Sequence, residues 1–135
     1  MCQKKILFVV SHFLLYHIAL FQNFKTIPDS LKNFSYVTFR EKVYSDPEDN
    51  FTRSYIYANS NLLKAKKENN TREIIYGYDL LAEIFDDFTN SVKYSDSAIA
   101  LANKKYPKAL PYLYSTRGYV FYNNLDCTFT SKICG

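Results

Sequence analysis

The feature that most constrains this chain is an internal repeat. Residues 57–67 recur in pattern as residues 94–104, at an offset of 37 (94 minus 57). A second pattern, aromatic–small–aromatic, recurs at an offset of 36 (114 minus 78): Tyr78, Ala82 and Phe85 return as Tyr114, Gly118 and Phe121. Two helical patterns that alternate at one common period predict a stack of helical hairpins, or solenoid. Repeats of this kind make surfaces for other proteins more often than active sites.

Composition agrees with a small helical domain. The chain has 135 residues, 47% hydrophobic and 22% charged, with only 3 Gly and 4 Pro. This length accommodates one domain, and few turn-forming residues favour helices over a turn-rich β fold. We therefore predict an all-α fold of five antiparallel helices between about Phe34 and Asn124.

The charge pattern argues against nucleic-acid binding by this segment. The net charge is +4, and Lys4 and Lys5 supply two of the positive charges at the extreme N-terminus. The helix predicted after Asn70 is acidic, and no continuous basic stripe is visible in the sequence.

The N-terminus, residues 1–22, is predicted to be a signal peptide or an uncleaved signal anchor. Two lysines precede an almost wholly apolar run, residues 6–21, which is typical of an export signal and slightly short for a membrane span. A buried N-terminal helix is the alternative. We expect an exported or membrane-anchored protein, on the periplasmic side in a bacterium, with residues 23–33 as a polar linker.

Capping signals and apolar stripes place the helices. Asp46 followed by Pro47 is a helix-start signal, and Asn70 with Glu73 is close to a capping box. The first helix is predicted at 34–44, with Phe34, Val37 and Tyr44 on one side, and the last clear helix at 112–123. The stripes predict these buried residues: Ala58, Leu62, Ala65, Leu81, Ala82, Phe85, Ala98, Ile99 and Ala102.

These landmarks resemble the tetratricopeptide repeat (TPR). Tyr78, Leu81, Ala82 and Phe85 take the places of its first helix, and Ser95, Ile99, Ala102 and Pro107 those of its second. Tyr114, Gly118 and Phe121 open a further repeat, in which Arg117 stands where Leu is expected. The resemblance covers residues 34–124 and implies a non-enzymatic repeat module that binds a protein or peptide. A generic helical bundle is the alternative.

The whole chain is also similar to the N-terminal part of a bacterial family of regulators. Segments that fit are 30–33, 64–68, 96–99 and 122–124. In that family a signal or anchor and repeats form an extracytoplasmic sensor, followed by a transmembrane helix and a helix-turn-helix DNA-binding domain. The resemblance therefore implies, as an alternative function, a truncated sensory part of a membrane-bound transcription regulator. Residues 125–135 depart from the family pattern, and we predict an irregular, truncated tail there.

The sequence offers little catalytic chemistry. The histidines, His12 and His17, lie in the apolar N-terminal run, and Cys2, Cys127 and Cys134 lack metal-ligand spacing. We expect no enzyme activity, no cofactor and no metal site.

The predicted binding surface is the concave face of the first helices of the repeats, at positions outside the packing stripe. Taking Tyr78 and Tyr114 as equivalent, one helix supplies carboxylates and the next supplies hydroxyls and aromatic rings: Asp79, Glu83 and Asp86, then Ser115, Tyr119 and Tyr122. Such a groove should prefer a peptide with basic and apolar side chains. A solvated helix face is the alternative. The incomplete last repeat also predicts self-association or poor solubility.

Overall fold

The computed structural model describes residues 25–45 and 50–133, with side chains described as far as Asn123. Within these residues there are five α-helices and no strand, so the predicted all-α class is confirmed. The helices are α1 (Tyr36–Tyr44), α2 (Phe51–Lys67), α3 (Thr71–Ile84), α4 (Phe88–Lys105) and α5 (Leu110–Ile133). Short 3₁₀ turns at Asp29–Leu31 and Pro107–Ala109 precede α1 and α5. The predicted signal or anchor at residues 1–22 lies outside the described residues.

Side-chain caps start four of the helices. The side chains of Ser35, Asn50, Asn70 and Asp87 each accept a hydrogen bond from the backbone N–H three residues further on, at 2.9–3.2 Å. Asn70 was predicted correctly. The predicted start signal at Asp46 and Pro47 lies outside the described residues; in the described part, α2 begins at Phe51 with Asn50 as its cap.

The capping box at Asn70 is only half formed. The Glu73 carboxylate accepts a hydrogen bond from Arg40 Nη1 of α1 at 2.6 Å, instead of reaching back to the backbone of Asn70. This partly buried ion pair links α1 to α3 across the structure. The turn between α2 and α3 is completed by Asn69, which takes a left-handed backbone conformation with φ of 52°.

Consecutive helices pack antiparallel, and α3 also contacts α5. The start of α4 meets the end of α3, where the Ser91 hydroxyl donates to the Ala82 carbonyl oxygen at 2.5 Å. The start of α4 likewise meets the far part of α5, where the Phe88 and Phe121 rings form an edge-to-face contact at 5.0 Å. Short connections between neighbouring helices dictate this arrangement.

The aromatic contacts repeat as the sequence does. Phe51 at the start of α2 meets Phe85, at the C-terminal end of α3, edge to face at 5.2 Å. Phe88 at the start of α4 meets Phe121 in α5 in the same way, at 5.0 Å. The two pairs are separated by the sequence offsets of 37 and 36, so the α2–α3 and α4–α5 interfaces are built alike.

The core forms two clusters, one on each side of α3. The first joins α1, α2 and α3, and the second joins α3, α4 and α5; the buried members are Val43, Ala58, Leu62, Leu80 and Leu81, then Ile75, Ala98, Ala102, Ala109 and Leu113. Small residues allow the close approach: a Cβ added at Gly77 would lie 3.1 Å from Leu62 Cα. Seven of the nine residues predicted as buried are buried, whereas Phe85 and Ile99 are half-buried.

Both ends of the helical stack differ from the sequence-based expectation. In α1, the buried side chains are Phe39 and Val43, which were not named from the sequence, whereas Val37 and Tyr44 are 56% and 64% exposed. At the other end, α5 continues to Ile133, so the backbone at 125–133 is helical rather than irregular. Extending an existing helix costs far less than starting one, which outweighs the modest helix propensity of threonine.

Among the described helices, none combines the length and the apolarity needed to cross a membrane.

Candidate functional site: an acidic aromatic groove

A groove of about 700 Å³ lies where the end of α1, the start of α2 and the end of α3 face α5. Its walls carry carboxylates, hydroxyls and aromatic rings: Val43, Tyr44, Phe51, Ser54, Glu83, Ile84, Asp86, Ser115, Thr116 and Tyr119. None of these lining residues is basic. The groove therefore presents a negative charge beside exposed aromatic surface.

The structure brings four of the six predicted binding residues together. Glu83 and Asp86 line one wall, and Ser115 and Tyr119 line the opposite wall on α5. Tyr122 is exposed on α5, outside the lining of this groove.

Asp79 was predicted to lie on the exposed face and is instead 3% exposed. It sits on α3 one turn before Glu83, where α5 covers it. Burial raises the pKa of its carboxyl group to about 7, and the charge of Glu83 acts in the same direction. The hydroxyls of Tyr112 and Thr116 on α5 interact with the carboxylate and partly offset these effects.

Glu83 is held between tyrosines from two other helices. The Tyr44 hydroxyl of α1 donates to Glu83 Oε2 at 2.5 Å, and the Tyr112 hydroxyl of α5 lies 3.4 Å from Oε1. The pKa of each phenol is raised, first by desolvation and then by the neighbouring carboxylates. Both phenols therefore remain protonated donors, and they hold the Glu83 carboxylate in one place at the mouth of the groove.

Sequence reasoning missed the residues that organise Glu83. Tyr44 was named only as part of one side of the first helix, and Tyr112 was treated only as the start of the last helix. Helical spacing places Tyr112 on the same face of α5 as Ser115, Thr116 and Tyr119, so a helical projection from Tyr119 would have found it. No local signal in α1 indicates that Tyr44 reaches α3.

The groove brings together one carboxylate fixed by hydrogen bonds, several hydroxyl groups and aromatic rings. Among the described residues, no group of three or more His, Cys, Asp or Glu side chains could hold a metal ion. The groove residues offer a fixed carboxylate, hydroxyl groups and aromatic faces, which suit a cationic side chain and its apolar stem.

No family model, no curated protein and no solved structure matches the chain. The resemblances to the TPR and to the bacterial regulators therefore stay predictions.

Proposed function

We propose that this chain is a non-enzymatic helical-repeat module that binds a basic, partly apolar peptide segment in the groove between α1, α3 and α5. The observation that carries the proposal is the groove itself, in which Glu83 and Asp86 face Ser115 and Tyr119 with no basic residue in the lining. Charge complementarity of this kind gives specificity and fast association more than raw affinity. Binding should therefore be of modest strength and sensitive to salt.

A TPR-like stack is the architecture we propose for the module. Its support is the repeated interface, in which Phe51 meets Phe85 as Phe88 meets Phe121. In this arrangement α1, α3 and α5 are the first helices of successive repeats. These three helices supply most of the groove lining, and α2 adds Phe51 and Ser54.

We further propose that the module works outside the cytoplasm, released or anchored by residues 1–22. The support is the pair of lysines followed by the apolar run 6–21. The sensory part of a membrane-bound regulator is a more specific version of the same proposal and rests on sequence resemblance alone.

The experiment is a binding titration with a synthetic peptide of alternating arginine and leucine. Binding is measured by fluorescence anisotropy at low and at high salt. A matched peptide with glutamate in place of arginine is the ligand control. Glu83→Lys with Asp86→Lys should abolish binding of the arginine peptide. Glu41→Lys, which reverses an exposed acid of α1 outside the groove lining, should reduce it only slightly. Equal loss in both variants would show that net charge, and not the groove, attracts the peptide.

A further inference from the structure

The face of α5 formed by Tyr114, Gly118 and Phe121 repeats a face of α3 that is covered. In α3, the equivalent residues are Tyr78, Ala82 and Phe85, and all three contact α4. The α5 face has no such cover among the described residues. Tyr114 is 57% exposed and Phe121 is 38% exposed.

Helix α4, which covers this face of α3, contacts the face through one aromatic ring and several small residues. The Tyr94 ring stacks on Tyr78 at 6.4 Å and on Phe85 at 5.4 Å, so it bridges the two aromatics of the pattern. Ser91 reaches the backbone at Ala82, and Ser95 and Ala98 are buried in α4. The complementary pattern is therefore a small residue, an aromatic three residues later and a small residue four residues later.

The other contacts of the two faces are already equivalent. Phe85 has Phe51 of the preceding helix on one side and Tyr94 of the following helix on the other. Phe121 has Phe88 of the preceding helix in the matching place. A helix that packed on the bare α5 face would therefore repeat the α3–α4 interface one step further along the stack.

Gly118 makes this face suitable for a closely packed helix. A Cβ built on Gly118 meets nothing within 4 Å, whereas Ala82 is fully buried by α4. The hydrogen bond from Ser91 to the Ala82 carbonyl oxygen has no counterpart at Gly118. Helix α3 ends two residues after Ala82, so the Ala82 carbonyl is free to accept from Ser91, whereas α5 continues far beyond Gly118 and its helix uses the Gly118 carbonyl. The incoming residue opposite Gly118 needs to be small and need not donate a hydrogen bond.

We propose that the Tyr114–Gly118–Phe121 face of α5 docks an α-helix of another protein that carries the pattern small, aromatic at i+3 and small at i+4. A second copy of α5 fits less well. The α5 face presents two aromatic rings around a glycine, and it does not contain the small–aromatic–small spacing through which α4 covers α3. A helix with one aromatic places its ring between Tyr114 and Phe121, as Tyr94 does on α3.

The test uses the full chain and a fluorescent peptide of residues 88–105, stapled across the exposed positions 96 and 100 to hold it helical. This peptide carries the pattern through Ser91, Tyr94 and Ser95. We expect saturable binding by fluorescence anisotropy. Gly118→Leu should weaken it about tenfold or more, because an added side chain blocks the close approach. The peptide variant Tyr94→Ala should weaken it comparably.

Controls separate the face from unspecific adhesion. Lys42→Leu places an equally large apolar residue on an exposed position of α1 and should leave peptide binding unchanged. Tyr114→Ala is a second variant that removes one aromatic of the face without adding bulk, and circular dichroism checks that each variant keeps its helix content. Binding that survives Gly118→Leu would overturn the proposal. So would a chain dimer in sedimentation that Gly118→Leu dissociates, because a second copy would then be the occupant.

Discussion

Asn61 in α2 and Ala98 in α4 hold equivalent places in the repeat, and both side chains are fully buried. Ala98 packs in the apolar cluster between α3, α4 and α5. Neither the Nδ2 nor the Oδ1 atom of Asn61 has a hydrogen-bond partner among the described residues. Helix α2 therefore carries an uncompensated polar group at the place where α4 carries a methyl group.

Asn61→Leu should stabilise the fold by about 1–3 kcal/mol, since a side chain of similar shape removes the cost of two unpaired polar atoms. The measurement is the free energy of unfolding from urea titration. The reciprocal variant Ala98→Asn should destabilise by a similar amount. A loss of stability in Asn61→Leu would mean that the amide is hydrogen-bonded in solution.

The two helical glycines should respond in opposite directions to alanine. Gly118→Ala should stabilise by roughly 0.5–1 kcal/mol, because the helix gains propensity and the added Cβ meets nothing within 4 Å. Gly77→Ala should destabilise by about 1 kcal/mol or more, because its Cβ would press on the backbone of α2 at Leu62. Thermal unfolding of both variants checks the pair, and a stabilised Gly77→Ala would show that α2 can move away.

Asp79 should make the fold less stable as the pH rises. Its pKa is 3.8 in the reference state and about 7 in the fold, so between these values the folded chain keeps a proton that the unfolded chain has lost. The free energy of unfolding should therefore fall from pH 4 to pH 7 by a few kcal/mol at most and then level off. Asp79→Asn should remove most of this slope. Its urea titrations at several pH values should be compared with those of Asp29→Asn, an exposed acid.

The same ionisation should strengthen binding of the basic peptide. Above pH 7 the Asp79 carboxylate adds a negative charge beneath Glu83, so the affinity for the arginine–leucine peptide should rise between pH 6 and pH 8. By linkage, peptide binding near pH 7 should release a proton, which calorimetry in buffers of different ionisation enthalpy detects. An affinity of the native chain that stays unchanged between pH 6 and pH 8 would show that the ionisation of Asp79 does not affect peptide binding in the groove.

Export can be tested directly. Residues 1–22 fused to a reporter that is active only outside the cytoplasm should give a positive signal. The matched control replaces Leu14 and Leu15 in the apolar run with aspartate, which should abolish the signal. A cytoplasmic reporter in the native fusion would contradict the proposed location.

The helices could be predicted from the sequence because their signals are local. Asn70 caps α3 as its side-chain chemistry predicts, and Ala58, Leu62 and Ala65 form the buried stripe that their spacing indicates. The repeat offset also survives in space, as the paired contacts of Phe85 and Phe121 show. These features depend on residues within one or two helical turns or on the repeat itself.

The errors arise where a side chain finds its partner far along the chain. Tyr44 was predicted only to share one side of the first helix with Phe34 and Val37, but its hydroxyl reaches Glu83 while the residue stays exposed. Asp79 looked solvent-facing from the periodicity of α3, but α5 covers it. Helical periodicity identifies a polar position on one helix, and it does not reveal which other helix will lie against that position.

The packing of each helix on its sequence neighbours has a consequence for the order in which the chain gains and loses structure. Contacts between nearby segments close short loops, so folding should be fast for a chain of this size. Because α3 alone touches α2, α4 and α5 at once, we expect its backbone amides to exchange with deuterated solvent most slowly. The short α1, joined mainly to α2, should open first and carry Tyr44 away from Glu83, so one wall of the groove is also the part of the fold that opens most readily.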